Sequence, residues 1–232
     1  MLHLAATLRS PLEIMQKPRL SLVSLAWPAA LLPFITIHVS YILAASQGHV
    51  EWCMPYWDAC TSISATGRQM PEKLWFKLGM LTAAGVTALL WWQLGRSTGK
   101  SGTMVILGIL ACVFLTMYTL ALGVEGDTYQ RIRRIGITLS FAFTFLAQLL
   151  YTRFLGQRSK SSHDPLTFGW SRFLLGLITA LLIIGILSVV LDAALGERYD
   201  DYEDAFEWIL ALLLNSWFAG LAMYLMTQRE RQ

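Results

Sequence analysis

Long apolar runs alternate with short polar ones along this chain. The apolar runs cover residues 20–45, 74–94, 103–123, 135–155, 173–195 and 205–226. Each can cross a hydrocarbon core about 30 Å thick at a rise of about 1.5 Å per residue. Water is absent there, so backbone N–H and C=O groups must be satisfied within the segment, which makes each run a helix. The pattern therefore predicts an all-α polytopic membrane protein: a bundle of six transmembrane helices in a single integral membrane domain, 1–232. Pro28 and Pro33 fall inside the first run and predict a kink, since proline lacks an N–H and crowds the preceding turn. The basic start and Ala44-Ala45-Ser46 mimic a secretory leader, but the run exceeds the roughly 7–15 residues of a leader core and reads as a retained helix.

Composition agrees. The 232 residues are 55% hydrophobic and 14% charged, against roughly 25% charged in an ordinary soluble domain, and the mean hydropathy is +0.51. The net charge of +3 is scattered. No basic stripe interleaves with aromatics, so nucleic acid is not an expected partner.

The basic residues set orientation instead. Arg9, Lys17 and Arg19 precede the first run; Arg96 and Lys100, then Arg153, Arg158, Lys160 and Arg172, then Arg229 and Arg231 fall on the same side of a six-span chain. The other side carries Glu51 and Asp58 and an acidic fifth connection with Glu197, Asp200, Asp201, Glu203 and Asp204. The third connection departs from this, with Arg131, Arg133 and Arg134 against Glu125 and Asp127. The positive-inside rule places both termini in the cytoplasm and the long first loop, 46–73, outside.

That loop holds the densest candidate chemistry. Cys53 and Cys60 lie in it; in an oxidising compartment they can pair, and otherwise they are two partly buried thiols. His49, Glu51 and Cys53 alternate and would share one face of an extended segment. A zinc site needs a further ligand at recognisable spacing, so no metal and no cofactor are expected. Ser62-Ile63-Ser64-Ala65-Thr66-Gly67 reads as a turn whose hydroxyls cap N–H groups and whose glycine takes a positive φ. Met70-Pro71-Glu72-Lys73 reads as entry into the second helix. Glu207, inside the start of the sixth run, is costly at that depth unless it is paired or faces a cavity. Arg68, Arg131, Arg133 and Arg134 are its expected partners, and Asn215 shares its helix face and is expected to bond across helices. No metalloprotease, nucleophile-elbow, Walker or dinucleotide fingerprint is present.

Three places together resemble the Frag/DRAM/Sfk family, which includes the GPI-anchor lipid-remodelling factor. They are Ser62–Gly67 with Pro71-Glu72 following, Asp127-Thr128-Tyr129, and Phe206-Glu207-Trp208 with Asn215. The resemblance spans almost the whole chain. It implies binding or remodelling of membrane lipids at the outer face, with Glu207 and Asp127 as the polar centre. Arg68 and Arg131 would contact the headgroup, with Ser62, Ser64 and Asn215 in the same headgroup-binding site, and Ser62, Ser64 and Gly67 would shape the loop. Family members that remodel GPI anchors carry a His after the acidic-x-Tyr segment, where this chain has Gln130–Arg134; a function needing that His does not carry over. The compact length and short basic tail resemble bacterial members, implying an inner membrane and a lipid other than a GPI anchor. A non-enzymatic scaffold organising lipids or partner proteins is the rival reading. A small-solute transporter ranks third, because the second to fifth runs carry almost no mid-span charge.

Overall fold

The computed structural model describes residues 21–99 and 102–231. Arg9, Lys17, Arg19 and Lys100 lie outside the described residues. The chain folds into α1 (Leu22–Ser46), a short α2 (Pro55–Asp58), α3 (Glu72–Thr98), α4 (Gly102–Ala121), α5 (Asp127–Ser162), α6 (Pro165–Leu195) and α7 (Asp200–Arg229). Single 3-10 turns occupy Ala65–Gly67 and Gly196–Tyr199. Among the described residues, five helical stretches are long and apolar enough to cross a membrane, and the last of these, Pro165–Arg229, runs through both α6 and α7. The protein is a multi-pass helical membrane bundle.

The helices overrun the apolar runs. α5 starts at Asp127 rather than 135, so Arg131, Arg133 and Arg134 are helical and not part of a connection. Its 36 residues reach about 54 Å at 1.5 Å per residue, well beyond a core of about 30 Å. Hydropathy marks the part of a helix that lipid touches, whereas the helix itself ends where its backbone is stopped. Gly123 and Gly126, both at positive φ, make that stop between α4 and α5. Pro28 and Pro33 both lie inside a continuous α1.

Long spans joined by short connections run antiparallel, and sequence neighbours pack as neighbours. α7 closes the ring on α1, while α5 and α7 scarcely meet. At the basic end, Asp164 caps α6: its carboxylate accepts the Thr167 hydroxyl at 2.6 Å and the Leu166 N–H at 3.2 Å. Arg231, beyond α7, reaches the same carboxylate at 3.2 Å. The Thr167 hydroxyl first, then Arg231 and the Leu166 N–H, hold its carboxyl down to about 2.

The core divides by depth. Toward the basic end Trp91, Tyr151, Trp217, Phe218 and Leu221 are buried together. The Trp91 and Trp217 rings stack at 5.9 Å, and the Trp217 indole N–H donates to the Thr152 hydroxyl at 3.0 Å. Gln148, fully buried, donates to the Leu214 carbonyl at 3.1 Å. Polar ties of this kind matter in lipid, where apolar contact alone gives helices little preference for one another. Toward the other end, Ile37, Tyr41, Ile63, Phe76, Tyr118, Leu122 and Trp208 form a second cluster.

Gly108 on α4 lies directly under the Trp91 indole, and a Cβ there overlaps the ring. Gly108→Ala is expected to lower stability by about 1–3 kcal/mol, the usual cost of overpacking, read as a lower thermal midpoint in detergent. Pairing it with Trp91→Phe should recover part of the loss.

Candidate functional site

Loop one folds against α7 because its backbone needs partners away from water. The Trp208 indole N–H donates to the Thr61 carbonyl at 2.8 Å. The Glu207 carboxylate accepts the Ile63 N–H at 3.1 Å. From α1, the Ser40 hydroxyl donates to the Thr66 carbonyl at 2.7 Å. The Tyr41 hydroxyl accepts the Cys53 N–H at 2.8 Å and lies 2.7 Å from the Cys53 carbonyl. Cys53 and Cys60 come together as a disulfide with Cα atoms 6.6 Å apart, closing the turn that contains α2.

The run 62–67 caps itself. Ser62 Oγ accepts the Ala65 N–H at 3.1 Å, and the Thr66 hydroxyl donates to the Ile63 carbonyl at 2.8 Å. Gly67 is not at a positive φ as the turn pattern suggests. Its need is room: a Cβ would meet the Phe76 ring at 2.7 Å and Leu122 at 2.9 Å. The glycine lets loop one press onto α3 and the end of α4.

Glu72 opens α3 and is completely buried. Its Oε1 lies 2.6 Å from His49 Nδ1, and its Oε2 has no partner among the described residues. His49 therefore faces Glu72 rather than joining Glu51 and Cys53 on one face. Among the described residues no group of three or more His, Cys, Asp or Glu is arranged to hold a metal ion.

A cavity of about 750 Å³ opens at the loop-one end between α5, α6 and α7. Ser62, Ser64, Arg68 and Glu207 line it, together with Gln130, Arg133 and Arg134 from α5. Asp192 on α6 and Glu203 and Asp204 on α7 line it as well. Arg68 donates to Ser64 Oγ at 2.9 Å. Arg133 donates to the Val124 carbonyl at 2.8 Å and the Ala121 carbonyl at 3.3 Å, closing the end of α4. The expected arginine partner of Glu207 does not come within 4.0 Å: the acid–base contacts that short among the described residues are His49–Glu72 and Asp164–Arg231. Tyr118 borders the chamber with a buried hydroxyl that has no partner among the described residues.

The chamber continues in two directions. Phe141, Val189 and Leu210 are shared with an apolar groove of about 390 Å³ between α5 and α6, lined deeper by Phe145, Leu182 and Ile186. Glu207, Tyr118, Ile137 and Phe141 are shared with an inner apolar cavity of about 90 Å³, where Asn215 sits. Asn215 makes no cross-helix hydrogen bond among the described residues.

Asp127 and Arg131 are not in the chamber. Asp127 occupies the exposed first turn of α5, where a carboxylate suits the helix dipole. Arg131 follows Gln130 by about 100° round the helix and is exposed. The residues at i, i+3, i+4 and i+7, namely Gln130, Arg133, Arg134 and Ile137, line the chamber instead. That spacing is readable in the sequence only once α5 is known to start at Asp127. Tyr118, inside an apolar run, carries no such signal.

The Glu72–His49 contact should anchor loop one. Glu72→Ala leaves His49 without its partner and opens a hole, and about 3 kcal/mol of stability should be lost. Glu72→Gln keeps an oxygen toward His49 and should lose about 1 kcal/mol. Thermal midpoints of the two variants in the same detergent check the order; equal losses would mean that volume, not hydrogen bonding, fixes the site.

The model of the Frag1/DRAM/Sfk1/Cwh43P N-terminal domain matches residues 21–224, and the chain belongs to that family. No curated protein and no solved structure matches it.

Proposed function

We propose that this membrane domain of the Frag1/DRAM/Sfk1/Cwh43P type binds and remodels membrane lipids in the chamber at its loop-one end. The observation that carries the reading is the union of a charged chamber with an apolar groove. About 750 Å³ lined by arginines and carboxylates runs into about 390 Å³ lined almost wholly by apolar side chains. A lipid has the same two halves. α6 leaves the groove open to lipid: the buried residues of α6 end at Ile178, and Leu182, Ile183, Ile186 and Val190 beyond it are exposed. A lipid can enter sideways without leaving the bilayer.

Loop one faces the non-cytoplasmic side in this reading, because Arg153, Arg158, Lys160, Arg172 and Arg229 stand at the other end of the helices. In a bacterial cell that side is the periplasmic face of the inner membrane.

Glu207 is the group placed to move a proton, at the junction of the chamber and the inner cavity. As a general base it takes the proton of a water or lysolipid hydroxyl while that oxygen adds to an ester carbonyl. When the carbonyl re-forms, the glycerol oxygen leaves and takes the proton back from Glu207. Water as the nucleophile gives hydrolysis; a lysolipid gives acyl exchange. Arg68 and Arg134 hold the headgroup, while Ser62 and Ser64 keep loop one and Arg68 in place.

A second reading, a non-enzymatic scaffold, is favoured by Trp52, Met54 and Trp57, which project exposed from the disulfide-closed turn. Mass spectrometry of lipids separates the two. The purified protein in nanodiscs is incubated with isotopically labelled phospholipid and lysolipid, beside Glu207→Gln. Hydrolysed or acyl-exchanged species should form and fall by about 10²-fold or more in the variant, the scale of a lost general base. A defined lipid that co-purifies unchanged would favour the scaffold, and full activity in Glu207→Gln would remove Glu207 from the chemistry.

A further inference from the structure

The chamber walls carry opposite charge. Arg68, Arg133 and Arg134 come from α5 and loop one, and Asp192, Glu203, Asp204 and Glu207 come from α6 and α7. None of these pairs closes to within 4.0 Å. Charges of opposite sign kept apart across a cavity leave both walls able to engage a third body. A purely anionic headgroup satisfies the arginines but is repelled by the carboxylates, and a purely cationic one meets the reverse. A headgroup with both charges satisfies the two walls together. Guanidinium groups match phosphate oxygens in pairs, and a primary ammonium has three N–H donors for carboxylates. A quaternary ammonium has none.

The neutral lining fits the part of the lipid between headgroup and chain. Tyr118 has a buried hydroxyl without a partner among the described residues, and it borders the chamber. A buried hydroxyl left alone is costly, so a ligand oxygen there relieves it. The apolar groove then begins at Phe141, Val189 and Leu210.

Resting on the lipid-site reading above, we infer that the chamber selects a glycerophospholipid whose headgroup carries both a phosphate and a primary ammonium. The phosphate lies against Arg68 and Arg134, the ammonium against Glu203 and Asp204, and the ester oxygens toward Tyr118. One acyl chain runs along the groove between α5 and α6.

The test uses the full chain in phosphatidylcholine nanodiscs doped with equal fractions of phosphatidylethanolamine and phosphatidylglycerol. Native mass spectrometry after mild extraction counts the lipids retained. Phosphatidylethanolamine should be retained about tenfold over either competitor, the scale of one charge-assisted hydrogen-bond set. Glu203→Gln with Asp204→Asn should erase that preference and raise phosphatidylglycerol. Arg68→Gln with Arg134→Gln should lower every phospholipid, and Tyr118→Phe should lower retention without changing the headgroup order. Glu203 is exposed and Asp204 half-buried, and the comparison among headgroups in the unaltered protein needs no variant. Equal retention of the three lipids, or a preference unmoved by the acidic-wall variant, would overturn the headgroup assignment and leave the lipid site standing. Retention of no phospholipid at all would overturn both.

Discussion

Loop one carries irregular backbone down among apolar helices, where each peptide group needs a partner. α7 supplies what the loop lacks. Trp208 is fully buried, and its only donor is spent on the Thr61 carbonyl. The rings of His38, Tyr41 and Tyr56 surround it at 5.5, 6.0 and 5.6 Å, all edge-on. Such pairs add about 0.5–1.5 kcal/mol each beyond the area they bury. His38 joins the same knot. Its Nδ1 faces the Phe34 carbonyl at 2.7 Å and donates there, and its Nε2 lies 3.0 Å from the Tyr56 hydroxyl. Aromatic packing and backbone satisfaction thus meet at one indole, and loop one takes its place from it.

The chamber is a by-product of how that clamp is distributed. Loop one is fastened to α1, α3 and α7, the helices on one side of the ring. The hydrogen bonds that tie α5 to α7, Gln148 to the Leu214 carbonyl and Trp217 to the Thr152 hydroxyl, lie deeper toward the basic end, and among the described residues none joins the two helices beside loop one. The buried positions of α6, Thr167, Ser171, Leu174 and Ile178, follow a helical stripe that stops halfway along it. Past that point, lipid solvates α6 as well as a neighbouring helix would. Water would drive such a gap shut; a bilayer has no reason to. Tyr199, in the turn that precedes α7, hydrogen-bonds Ser188 and keeps the far end of α6 from swinging free.

How legible this is from residues depends on the length scale of the interaction. The six apolar runs are visible because a bilayer imposes one requirement on every residue of a span. Ser62–Gly67 is visible because caps act over three or four residues. The face of α5 is harder: Gln130, Arg133 and Arg134 sit on it only because helix begins eight residues before the apolar run does. The choice between Arg131 and Arg134 as the headgroup contact turns on that register. Glu72 was legible as a helix start and hidden as the hydrogen-bond partner of His49, which lies twenty-three residues away across a loop of irregular path. Tyr118 was hidden altogether, because one hydroxyl in an apolar run looks the same whether it is satisfied or not.

Glu72 and Glu207 are two of the carboxylates at the loop-one end of this bundle, and their surroundings separate them. Glu72 is sealed: nothing of it reaches solvent, and its hydrogen-bonded oxygen is held by His49. A group so enclosed can fix a loop but cannot meet a lipid without the loop coming apart. Glu207 has one oxygen on the Ile63 N–H, and its side chain borders the open chamber as well as the inner cavity. The same hydrogen bond that helps fasten loop one also aims the carboxylate. The proposed chemistry and the fold therefore share an atom at Glu207, and the two roles are separable only by exchanging the carboxylate for an amide, which keeps an oxygen for Ile63 and removes the base.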